Sequence, residues 1–273
     1  MQPCRPAAGL AGVSCAMSSG DFEVICEIEP ATRPDVMQVR HQIGVLSRVA
    51  DAFLIPDNHI GRATVSSIAV AHEVELMGGR SIACINARDR NVLGFRRDLL
   101  TASAYGVNEF LFVYGDRPET GSRSDDLTVR SMIAEARQFA ESPDVEDAFR
   151  IGVTSGLRPV PAWKQEADFL LAQVSFSAEA LLEWRASIDF SGPVFAGVMV
   201  IPSASMAAKL SADVPQLAVP EAIVERIEGD RHAGVEIACD LISEIRESNA
   251  FDGIHLIPVA RYREMAARLE HLR

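Results

Sequence analysis

The sequence has little cysteine, and the cysteines that it has are scattered. There are five, an odd number, with no CxxC pair, whereas disulfide frameworks and zinc clusters need thiols at paired or short spacing. The six histidines show no metal-ligand spacing with acids or cysteines either. We therefore expect a protein of the reducing cytoplasm that has neither a disulfide framework nor a bound metal.

Basic residues and long apolar runs are also scarce. Lys and Arg number 26 against 38 Asp and Glu, which gives a formal net charge of −12 and argues against nucleic acid as a partner. No window approaches the ~18 uninterrupted apolar residues of a membrane helix. Residues 1–20 are rich in Ala, Gly, Ser and Pro and lack the apolar core of a signal peptide. We expect a disordered tail over 1–20, then one soluble domain over 21–273 that acts on small molecules.

What the sequence does contain is a repeated alternation of two kinds of segment. Short apolar runs alternate with longer stretches of helical period, which is typical of βα units and a parallel sheet. The predicted strands are 24–28, 52–55, 81–85, 109–114, 149–153, 168–173, 194–200 and 253–257. The predicted amphipathic helices include 35–49, 64–77, 91–105, 128–141, 178–186 and 232–248.

The number of repeats decides between two topologies. Eight strands in about 250 residues fit a closed barrel better than an open doubly wound sheet. An open sheet that binds dinucleotides would also carry GxGxxG after its first strand, where this sequence has EPATRPD. We therefore predict an α/β fold, a single-domain (β/α)8 TIM barrel, with its active site at the carboxyl ends of the strands.

Acidic side chains stand at two of these strand ends. Glu27 and Glu29 end the first strand, where a partly desolvated carboxylate suits a general acid, although the position equally suits a carboxylate that pairs with a basic neighbour at the rim. Asp116 follows the fourth strand after Gly115, a pattern that is also common in plain turns. Position alone leaves both readings open for each residue.

Other polar residues complete the rim. Gln173 ends the sixth strand, where its amide could meet an amide-edged heterocycle or satisfy the backbone. Asn86 follows the third strand, and Arg261 follows the eighth. His255 lies inside the last apolar run, a position more typical of a satisfied core histidine than of a catalyst. We assign it no role.

Taken in order, these segments resemble the methylenetetrahydrofolate reductase family from Phe22 to Arg261. The segment CEIEPA is similar to the family's E-x-x-PP, GVNEFLFVYGDRPETG to its LRGD-P-G element, and AQVSF to its TQ-x-F-F element. PVFAGVMVIPS is similar to P-I-x-P-G-I-x-P-x-S, and HLIPVAR to HFYTLNR. The resemblance implies an oxidoreductase of one-carbon metabolism and methionine biosynthesis, which reduces 5,10-methylenetetrahydrofolate to 5-methyltetrahydrofolate.

The resemblance also assigns roles to individual residues. Glu27 corresponds to the catalytic acid, and Asp116 to an aspartate that holds the pterin and stabilises a cationic iminium. Gln173 falls on the residue that contacts both the pterin and the nicotinamide. Leu210 stands where the family usually has an aromatic that covers the folate, and Arg261 corresponds to the arginine that meets the folate tail.

The departures from the family pattern fall on segments that hold its flavin. Ser81 replaces a flavin-contacting histidine, and the VTYG-type turn reads Ile-Pro-Asp-Asn up to Asn58. The YPExHP segment is missing, with residues 155–163 in its place. These changes imply direct hydride transfer from NADH or NADPH without bound FAD, and they leave Asn58 and Ser81 as candidate cofactor contacts.

Two alternatives of other classes remain. One is a non-catalytic folate-binding partner subunit, which would bind folate tightly without turnover. The other is a pterin-dependent methyltransferase barrel, although the sequence has no corrinoid-binding region of its own. The sequence also leaves open whether NADH or NADPH is preferred and whether the chain forms a homo-oligomer.

Overall fold

The fold is known from a computed structural model that describes residues 22–29, 31–117, 119–143, 145 and 147–271. The predicted tail, 1–20, lies outside the described residues. Eight parallel strands close into a barrel in sequence order, which confirms the (β/α)8 prediction. The strands are β1 (Glu23–Glu27), β2 (Ala52–Ile55), β3 (Ser81–Asn86), β4 (Glu109–Val113), β5 (Arg150–Ser155), β6 (Phe169–Val174), β7 (Val194–Met199) and β8 (Gly253–Ile257).

The helices surround the barrel. They are α1 (Met37–Leu46), α2 (Ser67–Leu76), α3 (Val92–Ala104), α4 (Val129–Ala140), α5 (Ala178–Ser187), α6 (Ala204–Asp213), α7 (Glu221–Gly229), α8 (Ala233–Ser248) and α9 (Tyr262–Glu270). The six predicted helices are all present. The helices α6 and α7 each have a single buried residue, Ala207 and Ile227 respectively.

Side-chain caps fix where several helices begin at the carboxyl ends of the strands. The side chains of Asn91, Thr128, Ser177 and Ser203 accept hydrogen bonds from backbone amides in the first turns of α3 to α6. Such caps satisfy amides that have no partner within the helix. In the part of the chain that the structure describes, no helix is long and apolar enough to cross a membrane.

Strand parity decides which side chains enter the barrel. Ile25 of β1 packs inside with residues such as Leu54, Leu111 and Phe195, whereas the alternate residues pack outward against the helices. Successive side chains of a strand point to opposite faces. Glu23 and Glu27 therefore share the inward face with Ile25, one at each end of the barrel.

The amino end of the barrel is filled by an ionic cluster. The carboxylate of Glu23 pairs with Arg80, whose Nε lies 3.4 Å from Oε1 of Glu109. Glu109 in turn accepts a 2.6 Å hydrogen bond from Arg150. Burial lowers the pKa of Arg80, and the negative charge of Glu109 opposes that effect. Two acids and two bases therefore balance within this cluster.

Candidate active site

Glu27 lies at the opposite, carboxyl end of the barrel, beside a histidine from the neighbouring strand. Strands β1 and β8 pair in parallel, with Ile25 opposite His255. Nε2 of His255 lies 3.2 Å from Oε2 of Glu27, and the two side chains are 10% and 14% exposed. The contact is not aligned as a hydrogen bond, since Nε2 has no hydrogen-bond partner among the described residues. Two ionisable groups thus meet at the floor of the mouth.

The structure separates the two glutamates that the sequence left as alternatives. β1 ends at Glu27, so Glu29 lies beyond the strand and is exposed. The backbone N–H of Glu29 donates to Oε1 of Gln42, and Nε2 of Gln42 donates to the carbonyl of Glu29. Of the two carboxylates, Glu27 is the one that faces the barrel interior.

A polar network closes the mouth where β2 and β3 end. Oδ2 of Asp57 accepts hydrogen bonds from the backbone N and Nδ2 of Asn86, at 3.0 and 2.7 Å, and from Nη1 of Arg90 at 2.5 Å. Burial alone would lower the pKa of Arg90, but Asp57 and Asp98 outweigh it and raise that pKa. Asp57 is not among the residues predicted for the site; the only signal in the sequence is its place directly after the second strand.

The buried thiol of Cys84 lies near both acidic groups. Its pKa is raised, first by burial and then by the negative charges of Asp57 and Glu27. The thiol therefore stays protonated and belongs to the barrel core rather than to the chemistry, as the sequence suggested for a cysteine within an apolar run.

Asn58 organises the loop that follows β2. Its φ of 47° is left-handed, its Nδ2 donates to Oδ2 of Asp89 at 2.9 Å, and its Oδ1 accepts from the backbone N of Thr64. The amide is thus committed to neighbouring protein groups. The predicted cofactor contact of Asn58 remains a prediction.

Asp116 joins the loop after β4 to the loop after β2. Its Oδ2 accepts a 3.0 Å hydrogen bond from the backbone N of Ile60, a β-branched residue at φ 57°. Gly115, at φ 94°, precedes it, and a Cβ there would lie 2.9 Å from Cβ of Asn86. The glycine thus allows the loop to pass over Asn86. Asp116 is exposed at the rim, and no hydrogen bond or ion pair joins it to Glu27 in the described part of the chain.

Gln173 stands at an irregular point of the sheet. The register between β6 and β7 shifts between Leu171 and Val174, and a Cβ on Gly197 would lie 2.6 Å from the carbonyl oxygen of Ala172. Such irregularities redirect side chains at barrel rims. Gln173 is exposed, and its Oε1 accepts from the backbone N of Val174.

A cavity of about 720 Å³ opens beside Gln173. Arg158, Phe176, Leu217 and Pro220 also contribute to its wall. This volume is in the range of pockets for small organic molecules. The cavity combines a cation, an aromatic ring and an amide. It lies on the side of the mouth formed by the ends of β5 and β6 and by the segment that joins α6 to α7.

The two predicted folate contacts from the last third of the chain do not line this cavity. Leu210 of α6 packs in an apolar cluster that includes Phe176. Nη1 of Arg261 donates to Glu264 at 2.8 Å, and its Nη2 reaches the carbonyl oxygen of Pro202 at 3.4 Å. The guanidinium of Arg261 therefore ties the loop after β8 to the loop after β7.

Ser81 requires a correction. It is the first residue of β3 and so lies at the amino end of the barrel, opposite Glu27. Its hydroxyl donates to Oε1 of Glu75 at 2.6 Å, and its backbone N to the same oxygen at 2.9 Å. The resemblance aligned the strand but did not show which end of the barrel its first residue occupies. Ser81 does not belong to the site at the mouth.

Comparisons with solved structures agree on the architecture. An uncharacterized protein from Clostridium thermocellum, which binds two copies of 5-methyl-5,6,7,8-tetrahydrofolic acid, superposes with a TM-score of 0.63 at 12% identity over 92% of this chain and 96% of that one. Apo-MsnO8 gives 0.56 at 12% identity, over 91% and 96%. A β-1,3-glucanosyltransferase from Rhizomucor miehei gives 0.51 at 12% identity, over 86% of each chain. At such identities these similarities establish the fold alone.

Sequence comparison gives one family match over the carboxyl-terminal part of the chain. No curated protein matches the chain, but residues 163–272 match the family model described as methylenetetrahydrofolate reductase. That segment contains Gln173, Leu210 and Arg261, whereas Glu27 and Asp116 lie outside it. Over this part of the chain, which contains β6 to β8 of the closed eight-stranded barrel, the match agrees with the resemblance to the methylenetetrahydrofolate reductase family that the sequence motifs indicated.

Proposed function

We propose that the protein reduces 5,10-methylenetetrahydrofolate to 5-methyltetrahydrofolate with NADH or NADPH as a second substrate, by direct hydride transfer and without a bound flavin. The observation that carries the proposal is the inward-facing pair of Glu27 and His255 at the floor of the mouth. The family match supports a folate-related function. The folate bound by the Clostridium thermocellum protein supports the same substrate class.

The first step needs an acid. Opening the five-membered ring of methylenetetrahydrofolate breaks a carbon–nitrogen bond, and the departing N10 takes a proton as N5 and its methylene become an iminium. Glu27 is the proton donor in this proposal, and it points into the mouth from the end of β1. His255, 3.2 Å away, can return a proton to Glu27 after each turnover.

The second step places a positive charge at the mouth. A negative group near the iminium lowers the barrier to its formation. Asp116 suits this role because its Oδ2 is held by the backbone of Ile60, while its Oδ1 has no donor among the described residues. Hydride then passes from C4 of the reduced nicotinamide to the methylene carbon. One proton and one hydride are consumed, and the products are a methyl group on N5 and the oxidised nicotinamide.

Gln173 is the group best placed to orient the folate. Its amide can donate and accept at once, which matches the amide-like edge of a pterin, and it lines the 720 Å³ cavity. Phe176 of the same cavity wall offers an aromatic face in the region where Leu210 replaces the family's aromatic. Arg158 supplies a cation for a substrate carboxylate.

The polar groups at the mouth favour a site without flavin. A flavin ring needs free donors along its dione edge, yet Asp57, Asn86 and Arg90 are bonded to one another. Beyond β5, the chain turns through a short 3-10 segment at Ala162–Glu166, and Nε1 of Trp184 donates to the carbonyl oxygen of Arg158. These groups do not fit a flavin, and the proposed mechanism routes no step through one.

The test is anaerobic turnover of flavin-stripped protein, with and without added FAD, using NADH that carries deuterium at C4. We expect oxidation of NADH that depends on methylenetetrahydrofolate, deuterium in the methyl group of the product, and intersecting initial-velocity lines without FAD. Turnover that requires FAD, with parallel lines and loss of the label to solvent, would contradict direct transfer. Tight folate binding with no turnover in either case would establish the folate-binding protein instead.

A further inference from the structure

A second cavity lies at the rim of the mouth, away from Gln173. It has a volume of about 420 Å³, and three of its lining residues are arginines: Arg88 after β3, and Arg117 and Arg123 after β4. Glu119 also lines it. The net charge of the chain is −12, so the overall electrostatic field of the protein does not attract anions. Three guanidinium groups around one cavity are a local exception to that field.

The charges around this cavity do not balance. Glu119 pairs with Arg62 at 2.6 Å, and Arg123 pairs with Asp125 at 3.1 Å. Arg88 and Arg117 have no carboxylate partner among the described residues. The residues that line the cavity and their ion-pair partners thus comprise four arginines and two carboxylates, and these groups together carry a net positive charge.

Arg88 is held in place before any ligand arrives. Its guanidinium lies 4.7 Å over the ring of Tyr114, whose hydroxyl accepts from Nη1 of Arg123 at 3.4 Å. The backbone N of Arg88 donates to Tyr114, and its carbonyl accepts from Ser124. Its Nε is buried and has no hydrogen-bond partner among the described residues. A planar guanidinium that these contacts already hold in position is well suited to bind a phosphate.

We propose that this arginine cavity binds the diphosphate of the reduced nicotinamide dinucleotide. The inference rests on the proposed function, in which both substrates occupy the mouth together. The cavity beside Gln173 lies at the ends of β5 and β6, and the arginine cavity lies beyond the ends of β3 and β4. Folate and dinucleotide then enter over different parts of the rim, and the two negative charges of the diphosphate match Arg88 and Arg117.

The experiment is isothermal titration with ADP-ribose, which carries the same diphosphate without the nicotinamide. We compare the wild type with Arg117→Gln, Arg123→Gln and a matched control, Arg96→Gln. Arg96 is as exposed as Arg123, at 55%, but pairs with Glu135 on the outer surface. We expect each cavity variant to bind ADP-ribose about tenfold more weakly. The KM for NADH should rise in parallel, with the KM for folate unchanged.

The outcomes separate this inference from the proposed function. ADP-ribose binding needs no turnover, so arginine-dependent binding by an inactive protein would support the cavity assignment and contradict the reductase. Normal turnover with unchanged ADP-ribose and NADH affinities in both variants would overturn the cavity assignment and leave the reductase intact. Weaker binding of a polyglutamylated folate, with ADP-ribose unaffected, would also overturn it, in favour of a site for the folate tail.

Discussion

The amino end of the barrel holds four charged side chains that pair with one another, whereas the carboxyl end holds a buried carboxylate whose close ionisable contact is a histidine. The paired set is Glu23, Arg80, Glu109 and Arg150. At the other end, Glu27 contacts His255 without an aligned hydrogen bond. Two glutamates on the same face of one strand thus sit in opposite electrostatic surroundings.

Backbone conformation shows the same contrast. Ile60 and Val259, both β-branched, adopt φ values of 57° and 48° in loops at the carboxyl end. Such conformations cost about 1–3 kcal/mol each and persist where the surrounding structure imposes them. The amino end has complementary charges, and the carboxyl end has strained loops and groups with unused bonding capacity. In a (β/α)8 barrel, stability residues collect at the first end and catalytic residues at the second.

The strongest test of this comparison is Glu27→Gln. We expect kcat to fall by about a thousandfold, because general acid catalysis contributes roughly 10²–10⁴ and an amide cannot deliver the proton. The substitution keeps the shape of a side chain that is only 14% exposed, so the thermal midpoint should stay close to that of the wild type. Steady-state NADH oxidation and a melting curve give the two readouts.

Glu29→Gln is the matched control for that prediction. Glu29 is exposed and contacts Gln42 through its backbone, so this variant should retain normal turnover. A Glu27→Gln protein with a near-normal rate would remove Glu27 from the mechanism, and loss of activity in Glu29→Gln would point to the other carboxylate.

The second test addresses the amino end. Glu109→Gln leaves Arg80 and Arg150 to share the single carboxylate of Glu23. Breaking a buried pair costs about 3–5 kcal/mol, and Glu109 is 11% exposed beside guanidinium groups that are 30% exposed. We expect a loss of about 3 kcal/mol in the free energy of unfolding, measured by urea denaturation, with turnover per folded molecule unchanged.

An exposed ion pair provides the reference for this measurement. Glu135→Gln removes the partner of Arg96 on the outer surface and should change stability by under about 1 kcal/mol. If Glu109→Gln proves no more costly than Glu135→Gln, or if it reduces turnover while the protein remains folded, the amino end would not be the purely structural region inferred here.

The barrel and the strand end that carries Glu27 could be predicted from the sequence, because both depend on the periodicity of apolar residues. Eight apolar runs predicted the barrel, and the position of Glu27 and Glu29 at the end of the first strand made both of them candidates for the mouth. The contact of His255 with Glu27 could not be predicted, because a histidine in an apolar run faces the barrel interior only if the strand has the right parity. That parity is fixed by the pairing of β8 with β1, in which Ile25 faces His255.

Long-range contacts explain the other differences. Asp57 belongs to the site through hydrogen bonds to Asn86, which ends β3, and to Arg90 on the loop that follows. Arg261 is committed to Glu264 and Pro202. Glu264 is the i+3 neighbour of Arg261 in the sequence, but no local pattern specifies the other partners. The family resemblance matched residues to motifs in sequence order. The hydrogen-bond partners of each side chain are known only from the folded barrel.

Ser81→Ala has the smallest expected effect. It tests most directly whether the amino end of the barrel has only a structural role. The change removes the 2.6 Å hydrogen bond from Oγ to Glu75 but keeps the bond from the backbone N, so stability should fall by about 1 kcal/mol. The KM for NADH and kcat should not change, because Ser81 begins β3 at the amino end. A rise in the KM for NADH with normal stability would mean that a cofactor reaches this end of the barrel. That result would contradict the division of the barrel into a structural amino end and a functional carboxyl end. It would support the cofactor contact that the family resemblance implies for Ser81.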